Sequence, residues 1–269
     1  MSKFKEALEG LSPSEQRAIV KGLKGQQAVK VHNHDWGDKH IRFGYCSDTH
    51  IGHKEFSEQL WDKMCQFFKR EKVELVYHAG DVLEGMSGRE GHIYELRHIG
   101  ASAQMAAASS LIRSADFHLS AIGGNHDLWM VSKANMGLNI GQTLQNVTPN
   151  FTHLGDWEAD VKLARNVRMK LFHSADGTAY ADSYKIQKLI ESFTGGEKPN
   201  IILSGHYHKQ IALFRRNIFG FECGTLCGQT RWMRAKKIQA HLGFGLIELW
   251  LGKKGIVRLR HEFVPHYEE

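Results

Sequence analysis

Residues 117–127 read FHLSAIGGNHD, an apolar run that breaks through two glycines into Asn125, His126 and Asp127. A short apolar run bounded by glycine reads as a buried strand. The residues after it can bind metal or move protons. Working outward, the same construction recurs. Residues 73–81 (VELVYHAGD) end in Gly80-Asp81, and 41–50 (IRFGYCSDTH) run into Asp48-Thr49-His50. A strand over 167–172 is followed by His173, and one over 200–204 by Gly205-His206-Tyr207-His208. In an open α/β sheet, ligands bind outside the carboxyl ends of the strands, which is where these polar residues fall.

Between the early strands the periodicity is helical. Leu60, Trp61, Met64, Phe67 and Phe68 form an apolar stripe within Ser57–Lys69, and residues 92–115 read as one Ala-rich helix. Strands separated by helices predict parallel βαβ units. The closely spaced runs at 210–214, 218–222, 244–251 and 256–261 predict antiparallel pairing, hence an α/β fold with mixed sheets. Ahead of this, Ser12-Pro13-Ser14-Glu15 is a helix start with a capping box, and Ala18, Ile19 and Leu23 give a stripe closed by Gly25. Residues 1–36 are therefore expected as a helical N-terminal extension and 37–269 as the main domain. Its Lys21, Lys24 and Lys30 would suit a small DNA-binding element; docking or homo-oligomerisation through these helices is the preferred reading.

With 42% apolar and 24% charged residues in 269, the composition is that of an ordinary globular chain. No apolar run reaches the roughly 18 residues of a membrane span. The start MSKFKEALEG has no apolar signal region, and the four cysteines suit a reducing compartment, so a cytoplasmic location without membrane contact is expected. The formal charge of +6 favours anionic partners, and 17 histidines favour metal or acid–base chemistry.

Each ligand-type cluster has an ordinary reading alone. Asp-x-His arises by chance, Gly-Asp caps helices, and a single histidine at a strand end is usually structural. Cys223-x-x-x-Cys227 reads better as buried strand cysteines than as a zinc site, because His206 and His208 belong to the other pattern. Together, however, the strand ends carry one ordered set: Asp48-x-His50, Gly80-Asp81-x-x-Glu84, Gly124-Asn125-His126-Asp127, His173, and Gly205-His206-x-His208.

This set, over residues 41–210, resembles the calcineurin-like metallophosphoesterase superfamily. The resemblance implies a mixed β-sheet sandwich flanked by helices and a phosphoesterase hydrolase working with two divalent ions. Asp81 would bridge the ions. Asp48, His50 and His208 would complete one site, and Asn125, His173 and His206 the other. Mixed oxygen and nitrogen donors without thiolate suit Mn²⁺, with Fe or Zn as alternatives. The implied reaction is attack on phosphorus by a hydroxide bridging the ions. His126 would protonate the leaving oxygen, oriented by Glu84 with Asp127 able to share that task.

The block Gly80-Asp81-Val82-Leu83-Glu84-Gly85-Met86 lacks the arginine of the protein Ser/Thr phosphatase branch. Asp48-Thr49-His50-Ile51-Gly52-His53 is similar to the start of the double-strand-break nucleases. His53, Arg89 and His98 are then expected to contact substrate, with His92 and Arg97 as further candidates. Arg231, Trp232 and Arg234 would also contact it, since basic residues interleaved with an aromatic suit a phosphate-tracking groove. The bland alternative is a solvated basic segment with Trp232 packed inward. The expected function is hydrolysis of phosphodiester bonds in nucleic acid, with DNA as substrate. A phosphoesterase for nucleotides or phosphomonoesters is the alternative, and a metal-free scaffold of the same fold is a third reading.

Overall fold

The computed structural model describes residues 31–34, 36, 39–132 and 139–267, and for Met130–Ser132 and Glu197 the backbone alone. The helices expected within 1–30 lie outside the described residues. In chain order the elements are β1 (Val31–Asn33), β2 (His40–Cys46), α1 (Glu58–Arg70), β3 (Leu75–His78), a 3₁₀ turn (His92–Glu95), α2 (Ala101–Ser114), β4 (His118–Ile122), α3 (Asn125–Ser132), α4 (Ile140–Val147), β5 (Phe151–Gly155), β6 (Glu158–Ala164), β7 (Val167–His173), α5 (Tyr184–Ser192), a second 3₁₀ turn (Gly195–Glu197), β8 (Ile201–Gly205), β9 (Gln210–Arg215), β10 (Ile218–Cys223), α6 (Arg231–Ala235), β11 (Gly243–Gly252) and β12 (Gly255–Pro265).

The strands form two six-stranded mixed sheets, ordered β1-β6-β7-β8-β10-β9 and β12-β11-β2-β3-β4-β5. Parallel pairs join β2 to β3, β3 to β4 and β4 to β5 in one sheet, and β7 to β8 in the other. The mixed sandwich expected from the sequence is what forms. Its centre is an apolar layer between the sheets, including Phe43, Tyr77, Val161, Leu171, Leu203 and Ile247. A second layer lies outside the β2–β5 sheet. There α1 buries Leu60, Trp61, Met64, Phe67 and Phe68 alongside Val76, Ile112 and Leu119. Each such fully buried side chain contributes roughly 1.5–3 kcal/mol. Ser57 caps α1 by accepting the Leu60 N–H at 3.1 Å. Gly44 is needed because the Phe68 ring occupies its side-chain space: a Cβ there would sit 2.5 Å from Phe68 Cζ.

Two sequence expectations need correction. Val31–Asn33, inside the stretch 1–36 read as helical, is a strand paired in parallel with β6, so the sheet begins before residue 37. Residues 92–115 are not one helix. Leu96 is extended and Gly100 takes φ +86°, leaving a 3₁₀ turn and a separate α2. Cys46 and Cys223 are buried free thiols at strand ends, and Cys227 is a buried free thiol outside the strands.

The register brings the polar turns together. Cys46 pairs with His78 at the ends of β2 and β3, and His78 with Ala121 near the end of β4. In the other sheet His173 pairs with Gly205 at the ends of β7 and β8. Asp48, Asp81, Asn125, His173 and His206 thus leave neighbouring strand ends.

Candidate metal centre

The turns that carry these side chains are locked by side-chain-to-backbone bonds. Asp127 accepts the N–H of Val82 at 3.1 Å, of Leu83 at 2.8 Å and of Gly124 at 3.0 Å, which ties the turn after β3 to the turn after β4. Thr225 Oγ1 donates to the Asp48 carbonyl at 2.8 Å, and Thr49 Oγ1 to the Val82 carbonyl at 2.9 Å. Nine described non-glycine residues have positive φ, and Asp48, His50, Asp81, His206 and His208 are among them. Such backbone persists only where surrounding contacts over-determine it, and it clusters at functional sites. At Gly124 a Cβ would stand 2.2 Å from Asp81 Oδ1 and 2.7 Å from His173 Nε2, so no larger residue fits between those two side chains.

Two donor sets result at the strand ends, the first buried and the second buried at Asp81 and His173 and half-buried at Asn125 and His206. In the first, His208 Nε2 lies 3.0 Å from His50 Nε2 and 3.4 Å from Asp48 Oδ1. His50 Nε2 is 3.9 Å from both Asp48 Oδ1 and Asp81 Oδ2. In the second, His173 Nε2 lies 3.2 Å from Asp81 Oδ2 and 3.2 Å from Asn125 Oδ1, and His206 Nδ1 is 3.0 Å from the same Asn125 oxygen. Asp81 belongs to both sets.

The far side of each imidazole decides what the near side can do. His173 Nδ1 faces the Ala79 carbonyl at 2.8 Å, and His206 Nε2 faces the Asp176 carbonyl at 2.8 Å. A carbonyl only accepts, so those nitrogens carry the ring protons. His50 Nδ1 donates to Glu84 Oε2 at 2.8 Å. In the neutral rings, lone pairs of His50, His173 and His206 therefore converge on carboxylate and amide oxygens that are themselves acceptors. A convergence of acceptors calls for a proton or a cation. Protons answer part of it: against its burial, Asp81 and neighbouring carboxylate charge raise His173 to about 9. Burial pushes His208 down to about 3, so that ring stays neutral and available as a ligand. Asp81 lies well below the usual carboxylate range despite its burial, because His173, His126 and His50 surround it. The donor chemistry fits a pair of divalent cations.

The calcineurin-like phosphoesterase superfamily domain matches residues 41–238. The chain belongs to this superfamily. The DNA polymerase II small subunit of Archaeoglobus fulgidus is 24% identical over 260 residues, an alignment covering 80% of this chain and 52% of that protein. The chain thus spans about half the length of that relative. Among solved structures, a novel archaeal phosphodiesterase is 16% identical with a TM-score of 0.48, covering 83% of this chain and all of the other. Vps29 complexed with zinc from Entamoeba histolytica is 11% identical with a TM-score of 0.44, covering 84% of this chain and 99% of its own. GAP50 of the Plasmodium inner membrane complex is 13% identical with a TM-score of 0.48, covering 84% of each chain.

A cavity of about 560 Å³ opens over the phosphoesterase donor sets and is lined by His50, Asp81, Asn125, His206 and His208 among others. His126 also lines it. Its N–H donates to Asp81 Oδ1 at 2.9 Å, its Nδ1 donates to the Glu84 carbonyl at 2.9 Å, and Glu84 Oε2 lies 3.3 Å from the same nitrogen. Against burial, the Glu84 and Asp81 carboxylates raise His126 to about 9. Glu84 is itself held by His50 and by His92, whose Nε2 lies 2.6 Å from Oε1. The expected pairing of Glu84 with His126 is present, and the longer side chain also reaches His50. Asp127 does not share that task, since both of its oxygens are taken by backbone N–H groups. Burial and the nearby Asp81 raise its carboxyl to about 6.

The expected substrate contacts divide. Arg89, His53 and Trp232 line the cavity. Arg89 is paired with Glu95 at 2.5 Å, and His53 is buried with Nδ1 accepting the Glu55 N–H at 2.9 Å. His98, Arg231 and Arg234 do not line the cavity. His98 instead borders a separate surface hollow beside Arg97 and Glu58. His92 lines the cavity as well, and it is buried with Nε2 against Glu84. Lys236, part of the basic run that the sequence marks for phosphate contact, also lines the cavity. The sequence gives no sign of Trp129, whose ring lies 3.8 Å from that of His126, because it sits in an ordinary apolar stretch. No described helix is long and apolar enough to cross a membrane.

Proposed function

We propose that this protein is a dinuclear-metal phosphodiesterase acting on nucleic acid, with DNA as substrate and Mn²⁺ as the activating ion. The observation that carries the reading is the convergence of two acceptor sets on the shared Asp81 carboxylate. Asp48, His50 and His208 would hold one ion, and Asn125, His173 and His206 the other. Bound there, the ions would supply Lewis acidity for phosphoryl oxygens and acidify water for attack at phosphorus.

The chain's own side chains do the rest. Glu84 holds His126 through Nδ1, which leaves Nε2 to face the cavity that the ring lines. A proton on Nε2 can pass to the leaving oxygen as its bond to phosphorus breaks, with Glu84 stabilising the imidazolium beforehand. Trp129 packs against the ring and restricts its rotation. Support for nucleic acid comes from the cavity, which is larger than a phosphate group needs and includes Arg89, Lys236 and Trp232. The likeness to a DNA polymerase subunit points the same way.

The test uses the full chain stripped with chelator and then given Mn²⁺. It is offered single-stranded DNA, duplex DNA, nucleotides and bis-p-nitrophenyl phosphate. DNA cleavage that disappears with chelator and returns with Mn²⁺ is expected. Rapid turnover of nucleotides or phosphomonoesters with DNA untouched would replace this reading by the small-molecule one. No hydrolysis with any divalent ion would leave a scaffold.

A further inference from the structure

Helix α6 divides the run Arg231-Trp232-Met233-Arg234-Ala235-Lys236 between two directions. Positions four apart share a helix face, so Trp232 and Lys236 stand on one side. Both line the cavity over the donor sets, together with Met233 and Ile238, whereas Arg231 and Arg234 do not. The helix is well fixed. Thr230 Oγ1 accepts the Met233 N–H at 3.2 Å, and the Gln229 side chain donates to the Ile238 carbonyl at 2.6 Å. Met233 is buried and anchors the turn, while Trp232 next to it remains 46% exposed. The structure thus presents a half-exposed indole and a lysine side chain, four positions apart on one helical turn, at the same cavity.

Five of the seven donors line this cavity, and Asp48 and His173 lie behind its wall, almost completely buried. A phosphate in a stacked duplex carries a base turned toward the opposite strand. Presenting its phosphorus to donors recessed in a cavity favours a strand drawn out of the duplex, which leaves bases without stacking partners. Stacking on an aromatic side chain compensates for that loss and accepts any base, because every base has a π face. Lysine supplies a mobile point charge suited to an adjacent phosphate.

We infer that Trp232 and Lys236 form a nucleotide subsite that takes an unpaired base and the phosphate beside the scissile bond, so that the substrate is unpaired strand, either single-stranded nucleic acid or a frayed end. This rests on the nucleic-acid reading above and narrows it. Recognition is through stacking and charge, so sequence preference is weak and binding falls with salt.

The test compares wild type, Trp232→Ala, Trp232→Phe and Lys236→Gln as full-length, Mn²⁺-loaded proteins with matching melting curves. Substrates are a single-stranded oligonucleotide, the same sequence as a blunt duplex, and bis-p-nitrophenyl phosphate. Trp232→Ala is expected to raise KM for the single strand about tenfold to a hundredfold. That loss should exceed its effect on bis-p-nitrophenyl phosphate by about tenfold, with Trp232→Phe recovering most of it. Lys236→Gln should reduce the salt slope of binding by close to one phosphate contact. Wild type that cuts the single strand while Trp232→Ala keeps its KM overturns the subsite alone, as does a preference for blunt duplex. Wild type that hydrolyses bis-p-nitrophenyl phosphate but no nucleic acid overturns the underlying reading.

Discussion

Glu222 lies in β10, paired with Ser204 of β8 on one side and Ile211 of β9 on the other. It is buried, and no side chain hydrogen-bonds to either carboxylate oxygen, the backbone at Ile186 being the one weak support for its charged form. Burial first, and then the charge of Asp182, raises its carboxyl to about 8 from the ordinary 4.5. In the unfolded chain the group releases its proton near the ordinary value. Between these two values the folded protein holds a proton that the unfolded chain has lost, so stability falls as pH rises through that window. The slope approaches about 1.4 kcal/mol per pH unit. From pH 6 to 8 this amounts to at most about 2.7 kcal/mol, or roughly 5–10 °C of melting temperature for a domain of this size. Glu222→Gln removes the titrating group and should flatten that part of the decline. The assay is thermal unfolding of full-length wild type and Glu222→Gln in chelator, at half-unit steps from pH 5.5 to 8.5. The difference between the two curves is the readout, because histidines shared by both proteins cancel. Parallel curves would refute the argument from burial.

Three further outcomes address the site. Asp81→Asn should lower the number of tightly bound ions per chain more than Asn125→Ala does, because Asp81 belongs to both donor sets; metal analysis after dialysis against Mn²⁺ measures this, and equal losses would count against a shared carboxylate. His126→Gln should keep metal binding while cutting the rate about 10²–10⁴-fold. That loss should shrink for p-nitrophenol leaving groups, whereas an equal loss on poor leaving groups would indicate a positioning role. Asp127→Asn should lower stability by about 1–3 kcal/mol, since an amide nitrogen would face backbone N–H donors. Its leaving-group dependence should match wild type, and a changed dependence would return Asp127 to proton transfer.

The donor residues were legible because each motif compresses strand, break and ligand into a few consecutive residues. An apolar run such as 201–203 needs only the next turn to deliver His206. Glu84 was placed correctly beside His126, yet its bonds to His50 and His92 depend on how residues 85–92 fold back, and no local pattern encodes that. His92, a candidate substrate contact by sequence, lines the cavity and in addition buttresses Glu84, a role no local pattern shows. Charge alone leaves 231–237 without a direction. A basic run says nothing about direction until the helix phase is known, and the phase turns Lys236 inward and Arg234 outward. Strand β6 was overlooked although Ala159, Val161 and Leu163 alternate with half-exposed neighbours at the two-residue period of a one-sided strand. The search had favoured continuous apolar runs, which mark strands buried on both faces.

The left-handed backbone at Asp48, His50, Asp81, His206 and His208 bears on how this protein can change over generations. A side chain in that conformation costs roughly 1–2 kcal/mol relative to glycine. The fold therefore carries a standing tension at the very positions that hold the donors, and the surrounding bonds keep the cradle shaped before any ion arrives. Under the proposed function, selection for ion binding would hold that tension in place. Where such selection lapses, replacement of one of these residues by glycine relaxes the turn while removing a donor. The descendant would be inactive and its backbone at that turn less strained, although the buried bonds of the lost side chain go with it. Loss of chemistry is thus an easy exit for this architecture, and the surfaces around the emptied cradle would remain folded and free to serve as binding faces.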